Sequence, residues 1–379
     1  MSKVSGYNRG IMMLMMGVVA LFISFSALAS PITVKDMAGR TVTFDKIPTR
    51  VALQDGRVGF DFALLFHGTD PFSRIVVWNN LIRRQLPGFW NLMSQKWPDT
   101  AKIPDMVFGD NGQVNVEQLI ARHPQVLIAE LRARPVLEQS NAVTQLAAAG
   151  IKVVYVDDAV NPVPNAAKSL LLLGKLFGKE KEAQAYYDFY QQHLNALNKA
   201  IAQQPTPHPL VFVEALAGQN DANNCCFTHG NFGWGKLVQA VKARNLGSQI
   251  LHSPSGIVSA ETLLANQPDV FIMTGRAPSN VMPELGFNVT PKNINERMQS
   301  LMQRPGLAEL NTVQNGRVYG IYHPFYSSVL NIVGLEYLAK DVYPKAFTSL
   351  DPGHTFQQIL AQFTDLPKGN AILGMQLQK

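Results

Sequence analysis

Arginine side chains near the ends of predicted strands, the first of them after a short apolar segment at 51–53, are the most distinctive candidates for binding chemistry in this chain. With one aromatic residue in the same setting, they are Arg57, Trp78, Arg132, Arg134 and Arg276. In an open α/β sheet the carboxyl ends of the strands form the edge that faces a ligand, and a guanidinium offers a planar fork of donors to an anion. The pattern predicts a site for an anionic ligand with flat surfaces, although any one of these residues alone is more often a solvated surface residue.

A second candidate is an irregular, glycine-rich and aromatic segment over residues 223–234. It contains Cys225, Cys226, His229 and Trp234 and follows a predicted strand, so we expect a cleft loop. Two thiols and an imidazole are ligands that soft or borderline metal ions prefer. Adjacent cysteines point in different directions in an extended chain, which counts against a metal site. A disulfide between them and a free thiol pair packed in the loop are the alternatives.

His323 and Tyr326 follow the last predicted strand and form a third candidate. Either side chain could complete the coordination of iron in a siderophore or haem, or stack on a ligand. A buried structural role is the alternative for Tyr326. Haem therefore stays among the candidate ligands, beside iron chelates and a bare metal ion.

The elements that must position these residues follow from an alternation of short β-branched segments with longer helical patterns. The predicted strands are 74–78, 126–130, 153–157, 210–216, 269–275 and 317–322. Such alternation is typical of parallel α/β sheets. A length of 379 residues favours two cores, since single cores usually stop growing at about 250 to 300 residues. We expect an α/β protein of two Rossmann-like lobes with a ligand cleft between them.

A long helical tract over residues 165–203 separates the two series of strands and helices. Gly178 breaks this tract, and three prolines after residue 204 end its second helix, which would be about 36 Å long. We interpret the tract as a rod that joins the lobes, with a surface helix on one lobe as the alternative. The expected organisation is a signal peptide at 1–29, an N-terminal lobe at 30–164, the connector at 165–203 and a C-terminal lobe at 204–379.

The N-terminus has the pattern of a secretory signal peptide. Lys3 and Arg9 precede an apolar run over residues 11–25, and small residues follow at 27–29. The run is shorter than the roughly 20 residues that a membrane-spanning helix needs, so a membrane anchor is the weaker alternative. We therefore expect cleavage and export to the periplasm.

Charge and motifs argue against two other classes of protein. The net charge is only +6, and no run of five or six basic residues indicates a nucleic-acid partner. The hydrolase elbow, the zinc helix His-Glu-x-x-His and the phosphate loop are all missing from the sequence. Asp157 and Asp158 are paired carboxylates, but adjacent acids after a strand more often cap the next helix. We expect a binding protein without catalytic residues.

An internal repeat relates the two halves of the chain. Residues 114–133 match residues 258–277 at a constant offset of 144, with nine identities in twenty positions. Good N-cap residues precede the equivalent Glu117 and Glu261, so helix capping explains much of the pattern. Capping explains the equivalent arginines, Arg132 and Arg276, less readily. Their equivalence indicates that each lobe offers one arginine to a shared cleft.

The sequence resembles the periplasmic substrate-binding proteins of ABC importers for iron complexes and cobalamin. The resemblance rests on residues 32–40 and 47–51, on the two Val-x-x-Glu helix starts, on residues 172–180 and on residues 313–319. It covers nearly all of the chain after the N-terminal segment. It implies two α/β lobes joined by a rigid helix, with a ligand held between them.

The resemblance also implies partners, namely an ABC permease and its ATPase at the inner membrane. In that family a glutamate at a helix start on each lobe meets permease arginines, and by motif position these are Glu117 and Glu261. The residues that line the cleft vary with the cargo in this family, so we infer the ligand from the chemistry of the candidate residues described above. We expect a ferric siderophore, with haem, cobalamin or direct binding of a transition-metal ion as alternatives. We expect no resident cofactor, no metal site of the protein's own, and a monomer.

Overall fold

The structure is a computed structural model that describes residues 30–106, 108, 113–219 and 225–378. The predicted signal peptide at 1–29 lies outside these residues, as do residues 223 and 224 of the predicted cleft loop. Within the described ranges, every helix is too short or too polar to cross a membrane.

The first half of the chain folds around a four-stranded parallel sheet. Its elements are β1 (Ile32–Lys35), β2 (Thr41–Phe44), β3 (Val51–Leu53), α1 (Gly59–Leu65), β4 (Ile75–Trp78), α2 (Leu81–Gln85), α3 (Pro87–Lys96), α4 (Val116–Ile120), β5 (Val126–Glu130), α5 (Arg134–Gln139), α6 (Ala142–Ala148) and β6 (Lys152–Val156), with 3-10 helices at Gly56–Val58, Pro98–Lys102 and Leu131–Ala133. The strand order is β4-β3-β5-β6 with parallel pairing throughout, while β1 and β2 form a separate antiparallel hairpin. Every residue of β3 and β5 is buried, as expected for a parallel sheet covered on both faces.

Two helices carry the chain from the first sheet to the second. They are α7 (Pro162–Phe177) and α8 (Glu180–Ile201), and Gly178 between them has a φ of 65°. Glycine adopts this left-handed conformation without a steric penalty, so it ends α7 as a C-cap. The 22 residues of α8 make it about 33 Å long. The interpretation of this tract as two helices broken near Gly178 is confirmed.

The second half of the chain folds around a five-stranded sheet. Its elements are β7 (Leu210–Glu214), β8 (Phe227–His229), α9 (Gly233–Ala240), β9 (Arg244–Asn245), α10 (Leu246–Ile250), β10 (Ser255–Ile257), α11 (Ala260–Asn266), β11 (Val270–Gly275), β12 (Gly286–Phe287), α12 (Pro291–Met302), α13 (Asn311–Gln314), β13 (Val318–Tyr322), α14 (Asn331–Val342), α15 (Pro352–Phe363), β14 (Ala371–Ile372) and β15 (Gly374–Gln376), with a 3-10 helix at His323–Ser327. The strand order is β15-β13-β11-β7-β9, in which only β15 is antiparallel to its neighbour. The pairs β8 with β10 and β12 with β14 form small antiparallel ribbons.

The predicted fold class, an α/β protein with two parallel-sheet lobes, is confirmed. All six predicted strands are present, and their ends differ from the prediction by two residues or fewer. The larger hydrophobic core spans the second sheet, α7, α8 and one face of the first sheet. A smaller separate core, which includes Leu119, Leu127 and Leu146, fills the other face of the first sheet.

The internal repeat places the same helix and strand in each half of the molecule. The unit α4–β5 and the unit α11–β11 begin 144 residues apart. Asn115 and Ser259 cap the two helices, since their side-chain oxygens accept backbone N–H groups at 3.0 and 3.2 Å. Glu117 and Glu261 are exposed in the first turns. The main capping role is thus filled by the residues two positions before the glutamates.

Candidate ligand-binding cleft

A cavity of about 290 Å³ lies between the two sheets at the carboxyl ends of their strands. The first half of the chain lines it with Gln54, Arg57, Asn79, Leu81, Gln85, Leu86 and Arg132. The second half contributes Leu216, Gln219, Arg276, His323, Pro324 and Tyr326. Three guanidinium groups, four carboxamides, an imidazole and a phenol therefore converge on one space. The cavity is a cleft between the halves, as the sequence predicts for a ligand site.

Asp55 holds two of the three cleft arginines in place. Its carboxylate accepts hydrogen bonds from Arg57 Nε at 3.0 Å and Nη2 at 2.5 Å, and from Arg132 Nη2 at 2.6 Å. Asp55 is the second residue after β3, and its Oδ1 also accepts the backbone N–H of Arg57 at 2.9 Å, which starts the 3-10 turn. Burial alone would raise the pKa of Asp55, but the two guanidinium groups hold it well below its usual range. Asp55 is therefore ionised at neutral pH.

Arg57 links this ion pair to the opposite wall of the cleft. Its guanidinium carbon lies 6.0 Å from the ring centroid of Tyr326. Burial alone would lower the pKa of Arg57, but Asp55 and the neighbouring Tyr326 raise it well above its usual value. A row of polar groups, Asp55, Arg57 and Tyr326, thus crosses the cleft from the first half to the second.

Arg276 reaches into the cleft from the other side. It follows β11, and its Nη1 donates to the backbone oxygen of Gln85, at the end of α2, at 2.7 Å. In the described part of the chain no carboxylate forms an ion pair with it. Burial lowers the pKa of Arg276, as does the charge of Arg57, whereas Tyr322 raises it. Among the described residues, the cleft therefore sets three cationic groups against the carboxylate of Asp55.

Two buried imidazoles support the phenol ring of Tyr326. The ring centroids of His323 and His229 lie 4.8 and 5.1 Å from that of Tyr326. His323 Nδ1 is 2.7 Å from Thr274 Oγ1, and His229 Nδ1 accepts the backbone N–H of Trp234 at 3.1 Å. Burial lowers the pKa of His229 to about 4, and burial with nearby positive charges lowers that of His323 well below its usual value. Both imidazoles are neutral at pH 7.

The structure brings five of the nine predicted ligand-binding residues to the cavity, namely Arg57, Arg132, Arg276, His323 and Tyr326. His229 and Trp234 lie one layer behind the cavity wall, against the ring of Tyr326.

Trp78 and Arg134 lie away from the cavity, for different reasons. The side chain of Trp78, at the end of β4, points into the hydrophobic core, where it packs against Phe72 and Trp90. Arg134 is the first residue of α5, and it turns outward to an ion pair with Glu138, four residues on, at 2.8 Å. A position at the end of a strand therefore does not fix the direction of a side chain.

Several cleft residues were not identified from the sequence. They are Asp55 and the four carboxamides, Gln54, Asn79, Gln85 and Gln219. Gln54 and Asp55 immediately follow β3, so the rule that selected Arg57 also points to them. Amides carry no charge and occur on any surface, which leaves little signal for the others.

Cys225 and Cys226 are joined by a disulfide. Their sulfurs lie beside the carboxylate of Glu214, and these three residues form the one group of three potential metal ligands within 4.8 Å of one another among the described residues. His229 is not part of that group. Glu214 accepts two hydrogen bonds from Arg304, at 2.7 and 2.6 Å. Because the disulfide and the ion pair already occupy all three side chains, the arrangement favours a structural role.

The fold and cleft define a two-lobe binding protein, and the comparison with protein families agrees. Residues 89–323 match the model of the family described as periplasmic binding protein. The match covers more than half of the chain, so the chain belongs to the periplasmic binding protein family of the iron and cobalamin type. Members bind substrates for ABC transporters, with a permease and an ATPase as partners, and they are not enzymes. The resemblance stated from the sequence is confirmed.

Solved structures with the same fold include several periplasmic proteins. The TroA-like periplasmic binding protein FepB from Veillonella parvula has a TM-score of 0.82 and 27% identity, over 92% of this chain and 100% of its own. A periplasmic haem-binding protein from Pseudomonas aeruginosa has a TM-score of 0.53 and 21% identity, over 78% and 93%. The Helicobacter pylori protein CeuE, solved as a complex with nickel and histidine, has a TM-score of 0.62 and 13% identity, over 89% and 97%. The last two show the shared fold alone. No curated protein matches the chain by sequence.

Proposed function

We propose that this protein captures an anionic ferric chelate, a siderophore, in its cleft and delivers it to the permease of an ABC importer. The observation that carries the proposal is the charge of the cleft. Arg57, Arg132 and Arg276 face one cavity, and Asp55 is the carboxylate beside them. Capture and delivery follow from the family, and the chemistry of the lining residues supports the cargo.

Arg132 offers its guanidinium group to a ligand while Asp55 holds it in place. Its Nη2 donates to Asp55 at 2.6 Å, and the side chain is still 30% exposed where it lines the cavity. Its Nε is buried and has no acceptor among the described residues, so this donor is out of a ligand's reach. An anionic oxygen of a bound chelate would gain a charge-assisted hydrogen bond from the exposed part of the group. Arg132 therefore supports a ligand with oxygen anions on the side of the cleft that it lines.

Apolar groups complete the walls of the cleft. Leu81, Leu86, Leu216 and Pro324 line the cavity together with the ring of Tyr326. Ligand sites of this kind combine apolar walls with a few placed polar groups. The flat faces of an aromatic chelate would pack here while its charged oxygens meet the arginines.

Haem is a second candidate, and Tyr326 is the observation that favours it. Its phenol lines the cavity, and tyrosine is one of the protein ligands that haem iron accepts. The two propionates of haem would match the cleft guanidinium groups. Among the described residues nothing specific favours cobalamin, and the disulfide of Cys225 and Cys226 counts against a bare soft metal ion at that site.

The test is the quenching of intrinsic fluorescence during titration with ferric siderophores of each chemical class, haem, cobalamin and free iron, nickel and zinc ions. Trp234 is a suitable reporter because its ring centroid lies 6.4 Å from that of Tyr326. We expect saturable, sub-micromolar quenching by one anionic ferric chelate and none by its metal-free form or by free ions. Quenching by free ions alone would overturn the proposed cargo, and saturation by haem alone would select the second candidate.

We further propose that residues 1–29 form a cleaved signal peptide. The basic start, the apolar run and the small residues at 27–29 support it. N-terminal sequencing of the protein from the periplasm should read from Ser30. The limits of the two lobes stay predictions, at residues 30–164 and 204–379, and limited proteolysis can test them. The monomeric state stays a prediction that light scattering can test.

A further inference from the structure

A group of buried carboxyl groups lies directly behind the floor of the cleft. Its members, Asp61, Glu130 and Asp158, are each 2% exposed or less, and we call them the buried acid cluster. Asp61 belongs to α1, Glu130 is the last residue of β5, and Asp158 follows β6. They meet because neighbouring parallel strands end at the same edge of the sheet. The backbone N–H of Glu130 donates to Oε1 of the cleft residue Gln54 at 3.1 Å, so the cluster is one layer from the cavity.

The buried acid cluster lacks the donors that ionised carboxylates need. Both oxygens of Asp61 and Oδ1 of Asp158 have no hydrogen-bond partner among the described residues. Glu130 Oε2 accepts one backbone N–H, from Asp158, at 3.3 Å. Buried carboxyl groups in such surroundings bind a proton, because the neutral form is much less costly to bury. The cluster therefore favours protonated carboxyl groups.

Asp157 is not a member of the buried acid cluster, and the geometry of the cluster does not suit a metal ion. Asp157 accepts backbone N–H groups of Val160 and Asn161 at 2.8 and 3.2 Å and the amide of Asn165 at 2.8 Å, so it is satisfied as a carboxylate. The oxygens of the three cluster members do not gather within 4.8 Å of one another as a metal site would require. Protons are thus the ligand that the cluster can hold.

The charges that face the cluster come from the cleft side. Asp55, Arg57 and Arg132 act on Glu130, together with the carboxylate of Asp157. On the opposite side the cluster meets Tyr186 and Tyr190 of α8. Both phenols donate elsewhere, to the backbone oxygen of Val329 and to Asn331 Oδ1, each at 2.8 Å. The two arginines are therefore the positive charges that stabilise an ionised Glu130.

We propose that Glu130, at a pH high enough for it to be ionised in the empty protein, takes up a proton when an anion binds in the cleft, so that ligand affinity is linked to pH. An anion would draw Arg57 and Arg132 toward itself and add negative charge beside Asp55. Both effects favour the neutral form of Glu130. The inference rests on the anionic ligand of the proposed function, and it adds a regulation of the same site.

The pKa directions agree with this geometry. Burial and the neighbouring Asp55 raise the pKa of Glu130 to about 8, against the opposing effect of Arg132 and Arg57. Burial and the neighbouring carboxyl groups raise the pKa of Asp61 and of Asp158 well above the usual range. His229, with its pKa lowered to about 4, stays neutral above pH 7. Glu130 is therefore the group beside the cleft that we expect to titrate between about pH 7 and 9.

The first experiment needs no ligand and compares potentiometric titrations of the wild type and Glu130→Gln between pH 6 and 10. We expect the wild type to release about one more proton, with a midpoint near pH 8. The control is Glu138→Gln, which removes an exposed carboxylate and should leave this range unchanged. Infrared spectra supply a second readout, because the wild type should lose part of its protonated-carboxyl band between pH 7 and 9, whereas Glu130→Gln should keep its band unchanged. Identical titrations or an unchanged band would overturn the proposal.

The second experiment uses sulfate as the probe, because it stays a dianion over the whole range. We expect its affinity to fall by up to tenfold per pH unit above pH 8 in the wild type and to stay constant in Glu130→Gln. Calorimetry in two buffers of different ionisation enthalpy should show proton uptake on binding. A sulfate affinity without pH dependence, or no sulfate binding, would overturn the linkage. If the linkage holds while every ferric chelate fails to bind, the proposed cargo fails and the proton linkage stands.

Discussion

Arg132 and Arg276 occupy equivalent positions of the internal repeat and line the same cavity from opposite sides, but within the described ranges a carboxylate pairs with Arg132 and none pairs with Arg276. Arg132 Nη2 lies 2.6 Å from Asp55 Oδ2, whereas Arg276 Nη1 donates to the backbone oxygen of Gln85 at 2.7 Å. The repeat therefore supplies one cation from each half, and the described residues compensate the charge of one of the two. This asymmetry predicts different consequences for the loss of each arginine.

Arg276→Gln should weaken the binding of an anionic chelate with little effect on folding. The guanidinium forms no ion pair within the described residues, so its charge is available to the ligand. A charge-assisted hydrogen bond contributes about 1.5 to 3 kcal/mol, which corresponds to a loss of roughly tenfold to a hundredfold in affinity. Fluorescence titration measures this, with Arg134→Gln, outside the cavity, as the matched control. Equal affinity of the two variants would contradict the assignment, and Arg132→Ala with Arg276→Ala should bind more weakly than either single variant.

Asp55→Asn should destabilise the protein substantially. The substitution leaves the buried guanidinium of Arg57 without its carboxylate and removes the partner of Arg132. Breaking a buried ion pair by removing one partner costs about 3 to 5 kcal/mol. Urea unfolding gives the free energy of unfolding, and Glu138→Gln, which breaks an exposed pair, should change it little. A similar small effect of both substitutions would show that Asp55 does not anchor the cleft arginines.

The free energy of unfolding should fall as the pH rises from 6.5 to 8. Folding raises the pKa of Glu130 from 4.5 to about 8, so in this window the folded state binds more protons than the unfolded state. Each such group contributes at most about 1.4 kcal/mol per pH unit. The two buried imidazoles are neutral in the folded state but have the ordinary pKa of 6.5 when unfolded, so they oppose this fall near the lower end of the window, equally in the wild type and in Glu130→Gln. Asp55 is ionised throughout. Urea unfolding at several pH values should show a shallower slope for Glu130→Gln, and parallel slopes would count against a protonated Glu130.

Gly233→Ala should reduce ligand affinity by displacing the wall of the cleft. Gly233 has a φ of 46°, and an added Cβ would lie 2.6 Å from His229 Nδ1 and 2.8 Å from Tyr326 Cδ2. Gly150→Ala is the matched control, since Gly150 has a φ of 77° with open space at its Cβ position. Both variants carry the strain of a left-handed alanine. Only Gly233→Ala should bind the chelate more weakly, and equal affinities would show that the ring of Tyr326 does not shape the site.

Glu117→Ala combined with Glu261→Ala should reduce permease-dependent uptake while leaving ligand affinity intact. Both carboxylates are exposed, and Asn115 and Ser259 still cap the helices. Hydrogen bonds from its own backbone and from Ser259 lower the pKa of Glu261, so this carboxylate also contributes to the N-terminal cap of α11. Uptake of the labelled chelate by cells, with affinity measured on purified protein, separates the two effects. Normal uptake by the double variant would show that the two glutamates do not contact the permease and serve only to stabilise the helix starts.

The fold was predictable because its signals are local, whereas the site depends on directions of side chains. Alternating apolar runs, Gly178 and the repeat identify strands, helix ends and symmetry without any knowledge of packing. The rule that strand ends face a ligand located Arg132 and Arg276. It misplaced Trp78, which points into the core, and it missed Asp55.

Asp157 and Asp158, the adjacent acids after β6, also show that the sequence does not fix the direction of a side chain. Asp157 accepts the backbone N–H groups of Val160 and Asn161, so it orders the turn that precedes α7 rather than capping the first turn of that helix. Asp158 instead turns into the protein interior toward Asp61 and Glu130. These two partners lie 97 and 28 residues away in the chain. No local pattern connects them, so a buried acid cluster can be recognised only after the strands are assembled.

Anomalous diffraction at the iron absorption edge, from crystals of the protein grown with the best-binding ferric chelate, would show where the iron of the cargo lies. We predict one iron peak in the cleft, with anionic oxygens of the chelate on the guanidinium groups of Arg57, Arg132 and Arg276. An iron peak at Cys225, Cys226 and Glu214, or a chelate bound outside the cleft, would show that the cleft arginines do not bind the cargo.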